Sequence, residues 1–483
     1  MKVEVLKAAA AAPEMIIAFM ACLILVAALY MKKETSHKFS YIFSIATLLF
    51  VAIQIMMNFS SEASTAFNNM FIDDPMADLL KIAICLITAA VFVYSRQYNQ
   101  DRGLFQSEYY VLGLFGVTGM MVMASANHLL TLYLGLELMS LCLYAMIAFY
   151  RDDKLAVESA MKYFVLGALA SSILLYGMSL LYGLTGSLEL ATIRSSLAGA
   201  DQDNVAIALA VVFIVVALGF KLGAVPFHMW VPDVYQGAPT STTAYVGAAP
   251  KIAAFAMTIR LLAGGLEDLH GMWQQMLIII ALLSIAAGNI IAIAQSNLKR
   301  MLGYSTISHM GYFLCGILAG TATGYSASLF YVLVYAVMSL AAFGIVLYLA
   351  TANSESDNLS DLKGLSKRSP WTAFLLLILM LSMAGIPPTA GFFAKFSVIQ
   401  ALVNAGLVWV AVVAVIFAVV GAYYYLRVIK LAYFDQPEDQ SGVVAGGTMT
   451  AVLTINILLI VAILPWIGSL LSLCNEVISK FAV

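Results

Sequence analysis

The sequence predicts an all-α polytopic membrane protein with 14 transmembrane helices, and three observations carry that reading. Of 483 residues, 63% are hydrophobic and only 10% charged, against about 25% charged in a soluble domain. The apolar residues fall into fourteen runs, at 13–31, 39–57, 75–95, 108–125, 127–150, 157–184, 204–229, 241–263, 273–295, 300–320, 324–350, 371–398, 405–434 and 447–474. A spanning helix needs roughly 20 such residues. The charges between the runs are also sorted by side. One set of loops holds Lys32, Lys33, Lys38, Arg96, Arg102, Arg151, Lys154, Lys299, Arg300, Lys363, Lys367 and Arg368, with Arg427 and Lys430 at a helix end on that side. The other set holds Lys2, Lys7, Arg194, Arg260 and Lys480. Cytoplasmic loops carry the excess of Lys and Arg, so the first set faces the cytoplasm. An even number of spans then puts both termini on the outer, periplasmic side of a cell inner membrane.

Composition excludes several classes. The net charge of −2 is spread over few groups, and no basic patch suggests nucleic acid. The N-terminal stretch MKVEVLKAAAAAPEM lacks a small-residue cleavage site, so no cleaved signal is expected. Cys22, Cys85, Cys142, Cys315 and Cys474 lie far apart in or beside apolar runs, which fits packing and excludes paired metal-ligand or iron–sulfur spacing.

The first three segments, within residues 1–103, form an N-terminal unit. Lys81 lies near the outer end of segment 3, and an interfacial salt bridge to Asp78, Asp73 or Asp74 is expected for it. Gly113, Gly116 and Gly119 in segment 4 read as helix contacts. Glu137 is deep in segment 5, and Lys162 lies nearer the cytoplasmic end of segment 6. The short loop between these segments makes them antiparallel neighbours, so a Glu137–Lys162 ion pair is expected.

Segment 7 ends in LGFKLGAVPFHMWVPD, where Lys221 interrupts an apolar run and Gly219, Gly223 and Pro226 weaken the helix around it. A proline removes a backbone hydrogen bond and clashes with the preceding turn. Such a break persists in a membrane only where it lines a wet cavity or packs within protein. His228 follows, either as a packed core histidine or as a relay between the lysines and the cytoplasmic loop. Segment 8 carries Lys251 directly after Pro250, with Thr240, Ser241, Thr242 and Thr243 upstream. His309 in segment 10 has the same two readings as His228. The loop 352–370 reads as an ordinary solvated connection. Segment 12 is broken by Gly385, Pro387, Pro388 and Gly391 and carries Lys395.

Segments 7 and 12 occupy corresponding places if segments 4–8 and 9–13 are two five-helix repeats, at 104–266 and 267–436. An odd number of spans inverts the second copy. Paired broken helices in corresponding positions point to a transporter's site. Residues 437–483 supply a final span without an interior charge.

Five of the 24 basic residues, Lys81, Lys162, Lys221, Lys251 and Lys395, fall inside apolar runs, and none of the five is Arg. A charge at the bilayer centre costs at least ~2.5–3.5 kcal/mol. A buried amine can release its proton in the working pH range, whereas a guanidinium cannot. One deep carboxylate, Glu137, cannot pair all five, so the lysines are expected to carry protons.

The stretches YLGLELMSLCLYAM, KYFVLGALASSILLYG, GFKLGAVPFHMWVPDVYQGAPT, APKIAAF, NLKRMLGYSTISHMGY and AGIPPTAGFFAKF resemble the antiporter-like subunits of respiratory complex I, the proton-pumping NADH:quinone oxidoreductase. The resemblance covers nearly the whole chain beyond the first three helices. It implies a cytoplasmic half-channel around Glu137, Lys162 and Lys221, a central Lys251, and a second half-channel ending at Lys395. It places His228 and His309 on the same hydrophilic axis. It also implies membership of a translocase of the EC 7.1.1 type, with no redox catalysis or cofactor in this chain. NADH, FMN, iron–sulfur clusters and quinone would be handled by partner subunits. The partners implied are the sister subunits M and L, small membrane subunits and the bilayer. Two rivals remain: an Mrp-type cation/proton antiporter subunit, and a passive scaffold whose charges are structural.

Overall fold

The computed structural model describes residues 9–199, 204–350, 354–437 and 446–481. A short 3₁₀ turn leads into α1 (Ala12–Tyr30), which is followed by α2 (Lys33–Met57), α3 (Pro75–Asp101), α4 (Ser107–Ala124), α5 (Leu129–Ile147) and α6 (Lys154–Thr185). A short α7 (Leu190–Leu197) precedes α8 (Val205–Leu222), α9 (Trp230–Gly237), α10 (Thr240–Gly247) and α11 (Ala249–Thr258). The chain continues through α12 (His270–Ile293), α13 (Leu298–Leu318), α14 (Ala322–Leu349), the one-turn α15 (Leu365–Arg368), α16 (Pro370–Ala384), α17 (Ala390–Asn404) and α18 (Val408–Tyr433). It ends with α19 (Gly447–Ala462) and α20 (Ile467–Ser479). The loop between α2 and α3 adds a small antiparallel hairpin, β1 (Ser64–Ala66) with β2 (Phe71–Asp73), in the register Thr65 opposite Ile72.

Among the described residues, eleven helices are long and apolar enough to cross a membrane, or twelve if α19 and α20, bent by 48°, form one span. The helix starts follow ordinary capping chemistry. Asp74 accepts the Ala77 N–H at 2.8 Å ahead of Pro75, and Asp153 accepts the Leu155 N–H at 2.8 Å. Such caps satisfy donors that a helix start leaves free.

Small residues bring helices into close contact. A Cβ on Gly119 would lie 2.6 Å from the Gly135 carbonyl oxygen, so α4 and α5 touch backbone to backbone. Gly288 and Gly311 do the same between α12 and α13. In lipid, where apolar burial gives little drive between helices, such close packing supplies much of the association.

Two of the breaks read from the sequence are present. Helix α8 ends at Gly223, with φ +77°, and α16 ends at Gly385, with φ +83°. Both glycines hold a left-handed conformation that other residues reach only at a cost. The chain then turns through Pro226 or Pro388 before the next helix begins. Liberated backbone groups find side-chain partners. The Val225 N–H donates to Ser284 Oγ at 2.8 Å, and the Gly391 N–H donates to Ser382 Oγ at 3.1 Å. A third interruption, at Ala248 between α10 and α11, lies just before Pro250. Every residue from Thr240 to Gly265 is buried, so this segment is a central column of the bundle.

Candidate functional site: buried amines at the helix breaks

The five lysines divide into two sets. Lys81 and Lys162 have acidic partners, and neither is the partner expected. Lys81 is fully buried and pairs with Glu14 of α1 at 2.8 Å, above the Phe71 ring. The expected acids are engaged elsewhere: Asp78 accepts the Ser60 N–H, and Asp74 binds Arg260. The sequence window around Lys81 could not reveal a partner one helix hairpin away.

The expected Glu137–Lys162 pair is absent. Lys162 is 44% exposed and lies between Glu158, one turn back, and Asp233 of α9, at 2.8 and 2.9 Å. Asp233 also holds Arg300 of α13 at 2.8 Å. The break in segment 7 turns α9 toward α6 and carries Asp233 to the ammonium. Glu137 is left half-buried, with Oε1 enclosed and without a hydrogen-bond partner among the described residues.

Lys221, Lys251 and Lys395 have no carboxylate partner among the described residues. Lys221 Nζ donates to Ser140 Oγ at 3.0 Å. Lys251 Nζ donates to the Leu222 carbonyl at 3.3 Å and lies 5.1 Å from the centre of the Trp230 ring. Lys395 Nζ donates to the Met383 and Ala384 carbonyls at 3.0 and 2.9 Å, over the Tyr312 ring at 5.1 Å. Leu222, Met383 and Ala384 close the helices that end at the two breaks. Their carbonyls have lost the next turn's N–H groups, as at any helix end, and the ammonium groups replace them. A helix C-terminus also carries partial negative charge that favours a cation. The breaks therefore do more than loosen the backbone: each makes a cation site from its own chain.

Lys221 and Lys251 line one small cavity together with Met139, Tyr163, Trp230 and Pro250. Its volume of about 10 Å³ is close to what a single water requires. The second half is built differently. His309 Nδ1 lies 2.6 Å from Tyr331 Oη, and Nε2 lies 3.1 Å from Tyr425 Oη, which is 2.5 Å from Ser305 Oγ. Tyr331 stacks on Tyr312, the ring beneath Lys395. His309 is thus joined to neighbouring hydroxyls on both ring nitrogens. His228 is half-buried in the turn after the break, with Nδ1 enclosed and without a hydrogen-bond partner among the described residues.

Sequence reasoning missed four charged groups. Arg260, assigned to an outer loop, is 1% exposed; its guanidinium grips Asp74 at 2.7 and 2.9 Å and the Ala124 carbonyl. Lys299, assigned to a cytoplasmic loop, is buried and donates to the Ala238 carbonyl and Thr240 Oγ1 at 3.0 and 3.2 Å. Glu355, in the loop read as merely solvated, accepts from Tyr98, Arg102 and Thr240 at 2.7, 3.0 and 2.7 Å. Asp233 is the fourth. The available signal was weak: each lies close to a run boundary, where a charge normally reaches water.

Among the described residues no group of three or more His, Cys, Asp or Glu is placed to hold a metal ion. Cys85, Cys142, Cys315 and Cys474 are buried and Cys22 is exposed, all as free thiols.

Buried amines without a directly paired carboxylate, placed at breaks in the spanning segments, define an antiporter-like membrane subunit. Comparison with known proteins gives the same class. The family described as "NADH:quinone oxidoreductase/Mrp antiporter, TM" matches residues 126–421. NADH-quinone oxidoreductase subunit N of Thioalkalivibrio sulfidiphilus is 54% identical over 97% of each chain. A chain in the structure of respiratory complex I from Thermus thermophilus with bound aureothin superposes with a TM-score of 0.82, at 29% identity, covering 95% of this chain and 98% of that one. A chain of the Mrp complex from Dietzia sp. shares the fold, with a TM-score of 0.86 at 21% identity, covering 98% of this chain and 97% of its own. The chain belongs to the NADH:quinone oxidoreductase/Mrp antiporter family, within its NADH-quinone oxidoreductase subunit N branch.

Proposed function

We propose that this chain is a proton-translocating membrane-arm subunit of an NADH:quinone oxidoreductase, which couples electron transfer in partner subunits to proton movement along its buried amines. The observation that carries the reading is the set Lys221, Lys251 and Lys395, each held by a hydroxyl or a helix-end carbonyl and none in a direct ion pair among the described residues, with Glu137 acting on Lys221 only from a distance. An ammonium on neutral acceptors can lose its proton without stranding a buried carboxylate. One in a tight ion pair cannot. Two charges ~4 Å apart at an effective dielectric near 20 interact by about 4 kcal/mol, so loading one site resets its neighbours. Such sites titrate as a coupled set.

In this reading Glu137 and Lys162 belong to cytoplasmic uptake, Lys221 and Lys251 to the central transfer, and His309 and Lys395 to the second half. His228 serves the first half from the turn beyond the break. The redox centres for NADH, FMN, iron–sulfur clusters and quinone belong to other subunits, and the enzyme is a translocase of the EC 7.1.1 type. The neighbours in the membrane arm are subunits M and L and small membrane subunits. The span count is fourteen, for two reasons beyond the twelve long spans. Helix α13 crosses despite its polar residues, and α16 with α17 forms one broken crossing. Units 1–103, 104–266, 267–436 and 437–483 then stand as an N-terminal unit, two inverted repeats and a final span. Both termini face the periplasm.

The test is Lys221→Ala in the assembled complex. Loss of most proton-coupled quinone reductase activity, with assembly intact, is the expected result. Full activity would refute the role. Sodium-dependent transport by purified material lacking redox partners would favour the Mrp-type reading instead.

A further inference from the structure

The two breaks share a register. Gly223 and Gly385 hold positive φ, and a proline, Pro226 or Pro388, follows three residues later in each. Ten residues beyond each glycine stand Asp233 and Lys395. Corresponding positions in the two broken segments therefore carry opposite charges. Lys221, two residues before its glycine, has Met383 as its counterpart. So Asp233 occupies the place that in the other segment holds a functional amine.

Its surroundings are built. Helix α9 is wedged between α6 and α13. A Cβ on Gly237 would meet Ser159 Oγ and the Leu155 carbonyl oxygen of α6, the latter at 2.9 Å. A Cβ on Gly303 of α13 would lie 3.3 Å from Pro232 Cα. Ser159 Oγ donates to the Asp233 carbonyl at 3.0 Å. The carboxylate then takes one cation from each flanking helix, Lys162 on Oδ2 and Arg300 on Oδ1. Glu158 is the other acid on Lys162, and it belongs to the same helix as the lysine, so it cannot tie α6 to α9.

We propose that Asp233 is a positioning residue for proton translocation: it fixes Lys162 against the distal half of the first broken segment and holds that half in register with α6 and α13. The inference rests on the translocation reading above. It assigns Asp233 no proton of its own, since a carboxylate shared by two cations is poorly placed to give up its charge.

The experiment uses membranes containing the whole complex and follows NADH-driven quinone reduction together with proton movement by dye quench. Asp233→Asn is expected to lower the coupled rate roughly fivefold or more, the lower range of coupling between sites, with assembly retained. Asp233→Glu, which keeps the charge, is expected to restore most of the rate. Lys162→Gln combined with Asp233→Asn is expected to be no worse than the more damaging single change, because the two act as one unit. An assembled Asp233→Asn complex with the wild-type rate overturns the proposal, as do single losses that multiply in the double variant. If Asp233→Asn does not assemble, Asp233→Glu decides. A near-wild-type rate in the assembled Asp233→Glu complex supports the clamp, which needs the charge at that place, and a rate fivefold or more below wild type overturns it. Lys221→Ala separates the two readings: if it is inactive while Asp233→Asn is normal, only the clamp fails.

Discussion

Two buried regions of this molecule treat positive charge in opposite ways. At the start of α3, Arg260 is clamped bidentately by Asp74, and Lys81 is closed over Glu14. Along the central axis, Lys221, Lys251 and Lys395 donate to a serine hydroxyl and to helix-end carbonyls, with no direct ion pair among the described residues. Both regions are buried, so burial alone does not mark function. The difference lies in what remains when a proton leaves. Neutralising Lys81 would strand the Glu14 carboxylate, whereas neutralising Lys395 would strand two carbonyl groups that carry no charge. The paired region is therefore built as a structural joint, and the unpaired region is the one that changes its charge in the proposed function.

This contrast breaks if the paired region tolerates substitution. Asp74→Asn leaves the Arg260 guanidinium buried without its carboxylate, which typically costs ~3–5 kcal/mol. The expected outcome is a large drop in the amount of folded subunit and in its melting temperature, measured in detergent. Retention of wild-type stability would remove the distinction. The next largest effect is on activity. Lys395→Met removes a buried amine without stranding an acid, so stability is expected to stay within about 1 kcal/mol, near the average for point changes. Coupled quinone reduction is expected to fall by an order of magnitude or more, as for a group acting in the transfer itself. A destabilised but active Lys395→Met complex would reverse the assignment.

A smaller effect sharpens the picture of the second half. Tyr425→Phe removes the hydroxyl shared by His309 and Ser305. A single buried hydrogen bond contributes about 0.5–1.5 kcal/mol net, so a modest loss of stability is expected, together with a slower coupled rate. An unchanged rate would remove His309 from the path. The smallest effect is a pH dependence at the cytoplasmic knot. Burial raises the proton affinity of Glu355, but Lys299, Arg102, Tyr98 and Thr240 outweigh it and hold the carboxyl below its usual value of 4.5. The folded value is thus depressed. The contribution to stability is complete above the unfolded value and is lost as pH falls through the folded one. Glu355→Gln is expected to lower stability at neutral pH and to flatten the loss below about pH 4.5, the unfolded value, in acid titrations of the detergent-solubilised complex. Parallel curves for wild type and variant would count against the knot.

The amines at the breaks were legible in the sequence because the signal is local. A lysine within an apolar run, beside a glycine and a proline, can be read in a window of fifteen residues. Partner choice was not legible. Arg260 and Asp74 lie 186 positions apart, and Lys162 and Asp233 lie 71 apart. The antiparallel placement of α5 and α6 suggested Glu137 for Lys162, but adjacency in sequence does not fix which faces of two helices meet. Lys299 and Arg300, neighbours in the first turn of α13, show this directly. One reaches inward to Thr240 and the other sideways to Asp233.

By itself, then, the sequence determined the solvent of this protein, its make-up of many apolar membrane-length helices and two sites where helices must fail. All three follow from composition and from residues that cannot continue a helix. Only the tertiary structure decided which cations are neutralised and which are left to backbone carbonyls. That choice depends on helix rotation and on the direction a broken segment takes after its proline, and both are set by packing between residues distant in the chain.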